Sequence, residues 1–177
     1  MMIRLARFNT YLLVATAVTF CGCQSAAPKK SGKLLSTLRL HLEASRGSSN
    51  AGEPVPVYRE QPVWVTVEKE PFLTEANVSG ASVVDVVGGF ALRVEFDHGG
   101  ATRLETCTTA NRGRKIAVFC QFGPEIKSYR WVAAPVISHR ISDGVLIFTP
   151  DATREEAQEI ALGLSNVSKK VHTWIDR

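Results

Sequence analysis

Cysteine is scarce in this sequence: four stand in 177 residues. Two of them, Cys21 and Cys23, lie together near the N-terminus, which leaves Cys107 and Cys120 for the body of the chain. That excludes the disulfide framework that staples many small secreted domains. One bond between Cys107 and Cys120 stays open as an alternative. The expected reading is two small buried side chains, since free cysteine packs as a hydrophobe.

Long apolar runs are missing as well. The one candidate, residues 11–20, falls far short of the roughly 20 residues needed to cross a bilayer. The histidines, His41, His98, His139 and His172, stand at no zinc spacing with cysteine or with one another. No metal and no cofactor are expected. Gly88-Gly89 and Gly99-Gly100 lack the context of a phosphate loop, and no internal repeat is visible. Catalytic groupings are equally wanting. Glu155-Glu156 are explained by a helix start, and nothing marks Cys107 as a nucleophile. The expectation is a chain that is not an enzyme.

What is present begins at the N-terminus. Arg4 and Arg7, with no acid nearby, precede the apolar run, the pattern of an export signal. Phe20-Cys21-Gly22-Cys23 resembles the lipobox of bacterial lipoproteins, in which a small residue precedes an acylated cysteine. Phe20 departs from the leucine usual at its position. The resemblance implies removal of residues 1–22, lipid on Cys23, and a membrane-anchored protein facing the periplasm. Gln24 in place of Asp favours the outer membrane over the inner. Two or more acyl chains anchor stably where one does not. Residues 24–33, rich in Ser, Ala, Pro, Lys and Gly, read as a flexible tether. Lys29, Lys30 and Lys33 within it could lie near anionic headgroups, but a solvated tether is the plainer expectation.

The remainder is long enough for one ordinary domain. Its charge is mild, +4 overall with a pI near 9.0. Residues 36–43 alternate apolar and polar, the period of a half-buried strand. Strands are expected at 55–58 and 63–67, with a turn or helical start at 71–76. These residues, 34–70, form a set of N-terminal strands ahead of the main unit at 71–167, with 168–177 as a tail. A hairpin follows, 81–87 and 90–96, turned by Gly88-Gly89. Asp97 caps a helix over about 99–111 that Gly113 closes. Further strands are expected at 115–122 and 131–141, and Ser142-Asp143-Gly144 turns the latter into 145–148. Thr153 and Glu156 form a capping box. Ala157, Ile160, Ala161 and Leu164 then line one face of a helix that ends near Asn166. The fold class is α+β, an antiparallel sheet with two main helices packed on one face.

Four residues are candidates for partner contact. Tyr129 and Trp131 flank an irregular loop, where aromatics can anchor a partner; the competing reading puts Trp131 in the core. Arg112 and Arg114 belong to a compact basic turn, either a cation-rich helix end or a contact for an acidic partner. Nucleic acid is not expected.

From Pro71 to about Asn166 the chain resembles the head of the first periplasmic domain of SecD, an accessory subunit of the bacterial protein translocase. The matching stretches are Val94-Glu95-Phe96-Asp97, Thr109-Ala110-Asn111-Arg112-Gly113-Arg114-Lys115-Ile116-Ala117-Val118, Ala133-Ala134-Pro135-Val136-Ile137, Ile141-Ser142-Asp143-Gly144 and Thr153-Arg154-Glu155-Glu156-Ala157. The resemblance implies a binding or accessory module in protein export, with translocase subunits or unfolded exported proteins as partners. Two departures matter. Here a longer segment, Gln121–Tyr129, replaces a tight turn. The transmembrane helices that couple SecD to the proton gradient have no counterpart in this sequence.

Overall fold

The structure, a computed structural model, describes residues 34–123 and 126–175, with the backbone alone from 171 onward. The expected signal segment, Cys23, the tether and the side chain of His172 lie outside the described residues.

The alternation of Leu38, Leu40 and Leu42 makes strand β1 (Thr37–Leu42) and buries all three leucines on one face. Each fully buried leucine contributes about 1.5–3 kcal/mol relative to exposure, so this face fixes the register of the strand. β1 lies between β4 (Leu73–Thr74) and β7 (Ile116–Phe122), antiparallel to both. β7 pairs on its far side with β8 (Ser128–Ala133). β8 meets β2 (Ala51–Val57), which forms a hairpin with β3 (Val63–Glu68). The resulting order is β3-β2-β8-β7-β1-β4. The first three strands of the chain therefore share one sheet with β7 and β8.

This sheet curls back on itself. A bridge joins Glu43 to Val67, and the Ala44 amide donates to the Thr66 carbonyl at 2.8 Å, so β3 meets the end of β1. Val57, Val65, Val67 and Ala117 fill the inside of the curl as a small second core.

A three-stranded sheet faces the other side of β1 and β7. It holds β5 (Val78–Val86), β6 (Gly89–Phe96) and β9 (Val145–Phe148) in the order β5-β6-β9. The main core lies between the two sheets, with Leu38, Leu40, Val118 and Phe122 on one side and Leu92, Val94, Leu146 and Phe148 on the other. Helix α1 (His98–Ala110) adds Leu104, and α2 (Arg154–Ile175) adds Ala157, Ile160, Ala161 and Leu164.

The class is α+β, as expected. In detail, the strands divide into two sheets, and the β2–β8 pair is parallel. The expected strand 131–141 ends at Ala133, because Pro135 cannot donate to a ladder. Residues beyond it bond instead to the basic turn: the Gly113 amide donates to Ile137, and the Ile137 amide to Arg114. The 142–144 turn makes no hairpin with β8. It delivers β9 to β6, in the other sheet. Gly144, at φ +71°, packs there against Ala101, where a Cβ would come within 2.7 Å. Helix α2 passes the expected stop at Asn166 and continues to Ile175.

The caps behave as the sequence indicates. The Asp97 carboxylate accepts from the Gly100 amide at 2.7 Å. Thr153 and Glu156 accept from each other's backbone amides at 3.2 and 2.9 Å, satisfying two donors that a helix start leaves orphaned.

Candidate partner-binding face

Residues two apart on a strand share a face, so β8 sends Tyr129 and Trp131 to the same side of the curled sheet. Their environments differ. The Trp131 ring lies edge-on to His41 at 5.2 Å and to Phe119 at 5.3 Å, and it packs on the second core. His41 is held in turn by the Glu68 carbonyl at 2.8 Å from Nδ1. Trp131 thus pins the curl together. Tyr129 is 70% exposed, opposite Gln121 on β7. The Gln121 amide oxygen accepts from the Thr37 hydroxyl at 3.1 Å.

The basic turn also splits. Arg112 is exposed. Arg114 is committed to internal partners: the Glu68 carboxylate at 2.9 Å, the Glu43 carbonyl at 2.8 Å from Nε, and the Asn111 side chain. It ties the turn to β3 and to the end of β1.

One aromatic escaped the sequence reading. Trp64 on β3 is 66% exposed. It stands on the outer face of the curl, opposite Pro56, while its neighbour Val65 points inward. The alternation Val63-Trp64-Val65-Thr66-Val67 carries the signal, since Trp64 shares its parity with polar Thr66. Trp64 and Tyr129 therefore lie on opposite faces and form no joint patch.

Beyond Val57 the chain turns through Tyr58, a non-glycine residue at φ +72°, a conformation that side chains other than Gly, Asn and Asp rarely adopt. The turn docks Arg59 on Asp151: the Arg59 amide donates at 2.8 Å and its Nε at 3.2 Å. Arg130 reaches the same point, donating to the Asp151 carbonyl at 3.1 Å and to Glu156 at 2.7 Å. The β2–β3 turn, β8 and the start of α2 are thus joined through ion pairs.

Backbone edges are the other binding feature. Part of the β5 edge is covered, because the Ser165 hydroxyl accepts from the Ala81 amide and donates to the Ala81 carbonyl. β9 pairs with β6 alone among the described residues, and Ile147 on it is 52% exposed. A groove of about 440 Å³ runs along it, lined by His139, Arg140, Ile141, Asp143, Leu146 and Ile147. An edge strand with free amides and carbonyls can take an added strand.

The titratable groups speak for structure. Both cysteines are free. Burial pushes the Cys107 thiol up to about 11, and full burial pushes Cys120 up to about 12. A thiol that stays protonated at neutral pH is a poor nucleophile. Exposed Glu155 is held below the usual carboxylate range by backbone amides at the helix start, and next by Thr153. Among the described residues no cluster of His, Cys, Asp and Glu could hold a metal ion. No helix there is long and apolar enough to cross a membrane.

A family model described as "SecDF, P1 head subdomain" matches residues 53–168. The match begins within β2, ahead of Pro71, where the sequence resemblance starts. Among solved structures, a membrane component, SecDF, that enhances protein export aligns with 76% of this chain at 22% identity and a TM-score of 0.53. The chain covers 64% of that structure, under two thirds of its length. SecDF from Thermus thermophilus, a translocon-associated membrane protein, aligns over 77% of this chain and 30% of its own, at 17% identity and a TM-score of 0.41. No curated protein matches the chain. At these identities the likeness is one of fold.

Proposed function

This chain belongs to the SecDF P1 head subdomain family, and from that membership we propose that it is a non-enzymatic binding or accessory module of protein export. The observation that carries the reading is the family match over residues 53–168, which includes elements of both sheets and both helices. Fold by itself does not assign an activity, so the role rests on the family and on the surfaces available. The module is held to the membrane through lipid on Cys23 and faces the periplasm, residues 1–22 being its export signal and 24–33 its tether. The outer membrane is the favoured site.

Its partners are exported polypeptides in extended form, or translocase subunits. The open edge of β9 suits the first class, because main-chain hydrogen bonds hold a strand with little regard for its side chains. Tyr129 and Arg112 are the exposed side chains that would meet a partner elsewhere; Trp131 and Arg114 would support that surface from within.

The test is photocrosslinking in cells from a probe at Tyr129 and, separately, at Ile147. Newly exported chains or translocase subunits are the expected adducts. Adducts with resident envelope proteins alone would instead make the chain a structural lipoprotein without an export role.

A further inference from the structure

Residues paired across neighbouring strands face the same way, so the register of β1, β7 and β8 fixes what stands on the inner face of the curl. β1 supplies Thr37, Arg39 and His41, β7 supplies Gln121 and Phe119, and β8 supplies Tyr129 and Trp131. The β2–β3 hairpin closes over one end of this face, where His41 meets Trp131 and Trp131 meets the second core. The other end is open among the described residues. Arg39 and Tyr129 are exposed there, with Phe119 and Gln121 half-buried between them. Every residue just named is neutral or basic. The other arginines set in strands are paired, Arg93 with Glu95 and Arg130 with Glu156. Arg39 makes no ion pair among the described residues. Glu75 stands beside β1, but its carboxylate accepts from the Leu38 amide at 3.3 Å. The Gln121 side-chain oxygen accepts from the Thr37 hydroxyl, which leaves its NH2 as the free end. Gln121 lies diagonal to Arg39, a separation of about 7–8 Å that long side chains bridge. The open end thus offers a guanidinium fork, an amide NH2 and a phenol beside an aromatic ring. Acceptors complete such a set, and the charged acceptor of a polypeptide is a carboxylate.

We propose that the open end of the curl binds aspartate and glutamate side chains of extended polypeptides. Arg39 takes the carboxylate, Gln121 donates a second hydrogen bond, and Phe119 and Tyr129 cover the apolar side chain next to it. A lipid surface fits less well. Anionic headgroups are read by clusters of roughly four to eight basic residues, whereas here one guanidinium stands among aromatics. The inference rests on the reading of exported chains as partners. It gives them a second contact, in the other sheet from the β9 edge, and one that selects by charge.

The experiment is fluorescence anisotropy with the full, detergent-extracted protein and short rhodamine-labelled peptides of Asp, Ser, Thr and Val. Each peptide is amidated at its C-terminus, so that side chains carry its only carboxylates, and each has a twin with Asn for Asp. We expect the Asp peptide to bind about tenfold tighter than its twin. Arg39→Gln should erase the difference, and Gln121→Glu should erase or reverse it. Arg46→Gln makes the same charge change in an exposed turn and should preserve it. Unfolding midpoints at the wild-type value confirm that the exposed Arg39 can be replaced without loss of the fold. Equal affinities for the Asp and Asn peptides, or a difference that survives Arg39→Gln, would overturn the carboxylate site and leave the export reading standing. No binding by either peptide would overturn the site and, with it, the reading of exported chains as partners. Displacement of the Asp peptide by glycerol phosphate, at concentrations where glutarate leaves it bound, would overturn the polypeptide assignment in favour of a phosphate headgroup.

Discussion

Ser36 crosses α2 at Gly163 so closely that a Cβ on the glycine would stand 2.7 Å from the Ser36 amide nitrogen and 2.8 Å from its Cβ. In an ordinary helix interior, Gly to Ala gains about 1 kcal/mol. Here the added methyl meets backbone in a buried crossing. Gly163→Ala is expected to lower stability by about 1–3 kcal/mol, measured by urea unfolding. A gain would mean that the crossing opens without cost.

Glu156 serves three groups at once: the Thr153 amide, Arg130 and, at 3.8 Å, Arg59. Removing its charge weakens the bond from the Thr153 amide, which the glutamine oxygen still accepts, and leaves Arg130 without this ion partner. Glu156→Gln is expected to cost about 1–2 kcal/mol. Arg59 is half exposed, and pairs of that kind contribute little. Arg59→Ala is expected to cost no more than about 0.5 kcal/mol, and the ordering of the two unfolding midpoints is the check.

The two thiols make stability fall in alkali. Folding raises them from about 9 to about 11 and about 12, chiefly by burial. The folded state then holds protons that the unfolded state has already released, so the unfolded form gains as pH rises. The contribution is complete below about pH 9 and is lost progressively as pH climbs through the folded values. Unfolding midpoints should drop between pH 8 and pH 10.5, less steeply in Cys120→Ala. Iodoacetamide at neutral pH should label Cys120 only after denaturation; prompt labelling of the native chain would contradict its burial.

Trp131 and Tyr129, two residues apart, are expected to behave oppositely. Trp131→Ala removes the ring that joins His41, Phe119 and the second core, at about 3 kcal/mol or more. Tyr129→Ala and Trp64→Ala should change stability by no more than about 0.5 kcal/mol. If Tyr129 meets a partner, its alanine variant loses crosslinks placed nearby while its melting curve stays in place.

Local signals were the readable ones. The β5–β6 hairpin and the Thr153–Glu156 cap involve residues within a few positions of each other, and both form, the hairpin turning one residue earlier than expected, through Val87-Gly88, with Gly89 opening β6 opposite Val86. Non-local pairings were not readable. Asp143-Gly144 has the composition of a hairpin turn, yet β9 finds its partner in β6, across the whole of α1 and β7. Asn166 looked like a helix stop, but α2 has reasons to continue: Ser168 is buried and donates to the Ser79 carbonyl at 3.0 Å. At the candidate face, exposure of Tyr129 followed from its place beside a loop. The fates of Trp131 and Arg114 depended on β1 and β3, which the sequence does not place beside them.

The pairing of β1 with β7 also orders events in time. Thr37 and Gln121 are 84 residues apart; among the described residues the strand paired on the other side of β1 is the two-residue β4, and β3 meets β1 at its end alone. A chain made from its N-terminus carries Leu38, Leu40 and Leu42 without their long partner until Phe122 has emerged. β2 waits likewise for Trp131. Contacts this distant in sequence slow folding, so the first strand made is among the last to be secured. Until then its bare edge and leucine face are a liability, and the newborn protein is itself a client for whatever shields unfolded chains.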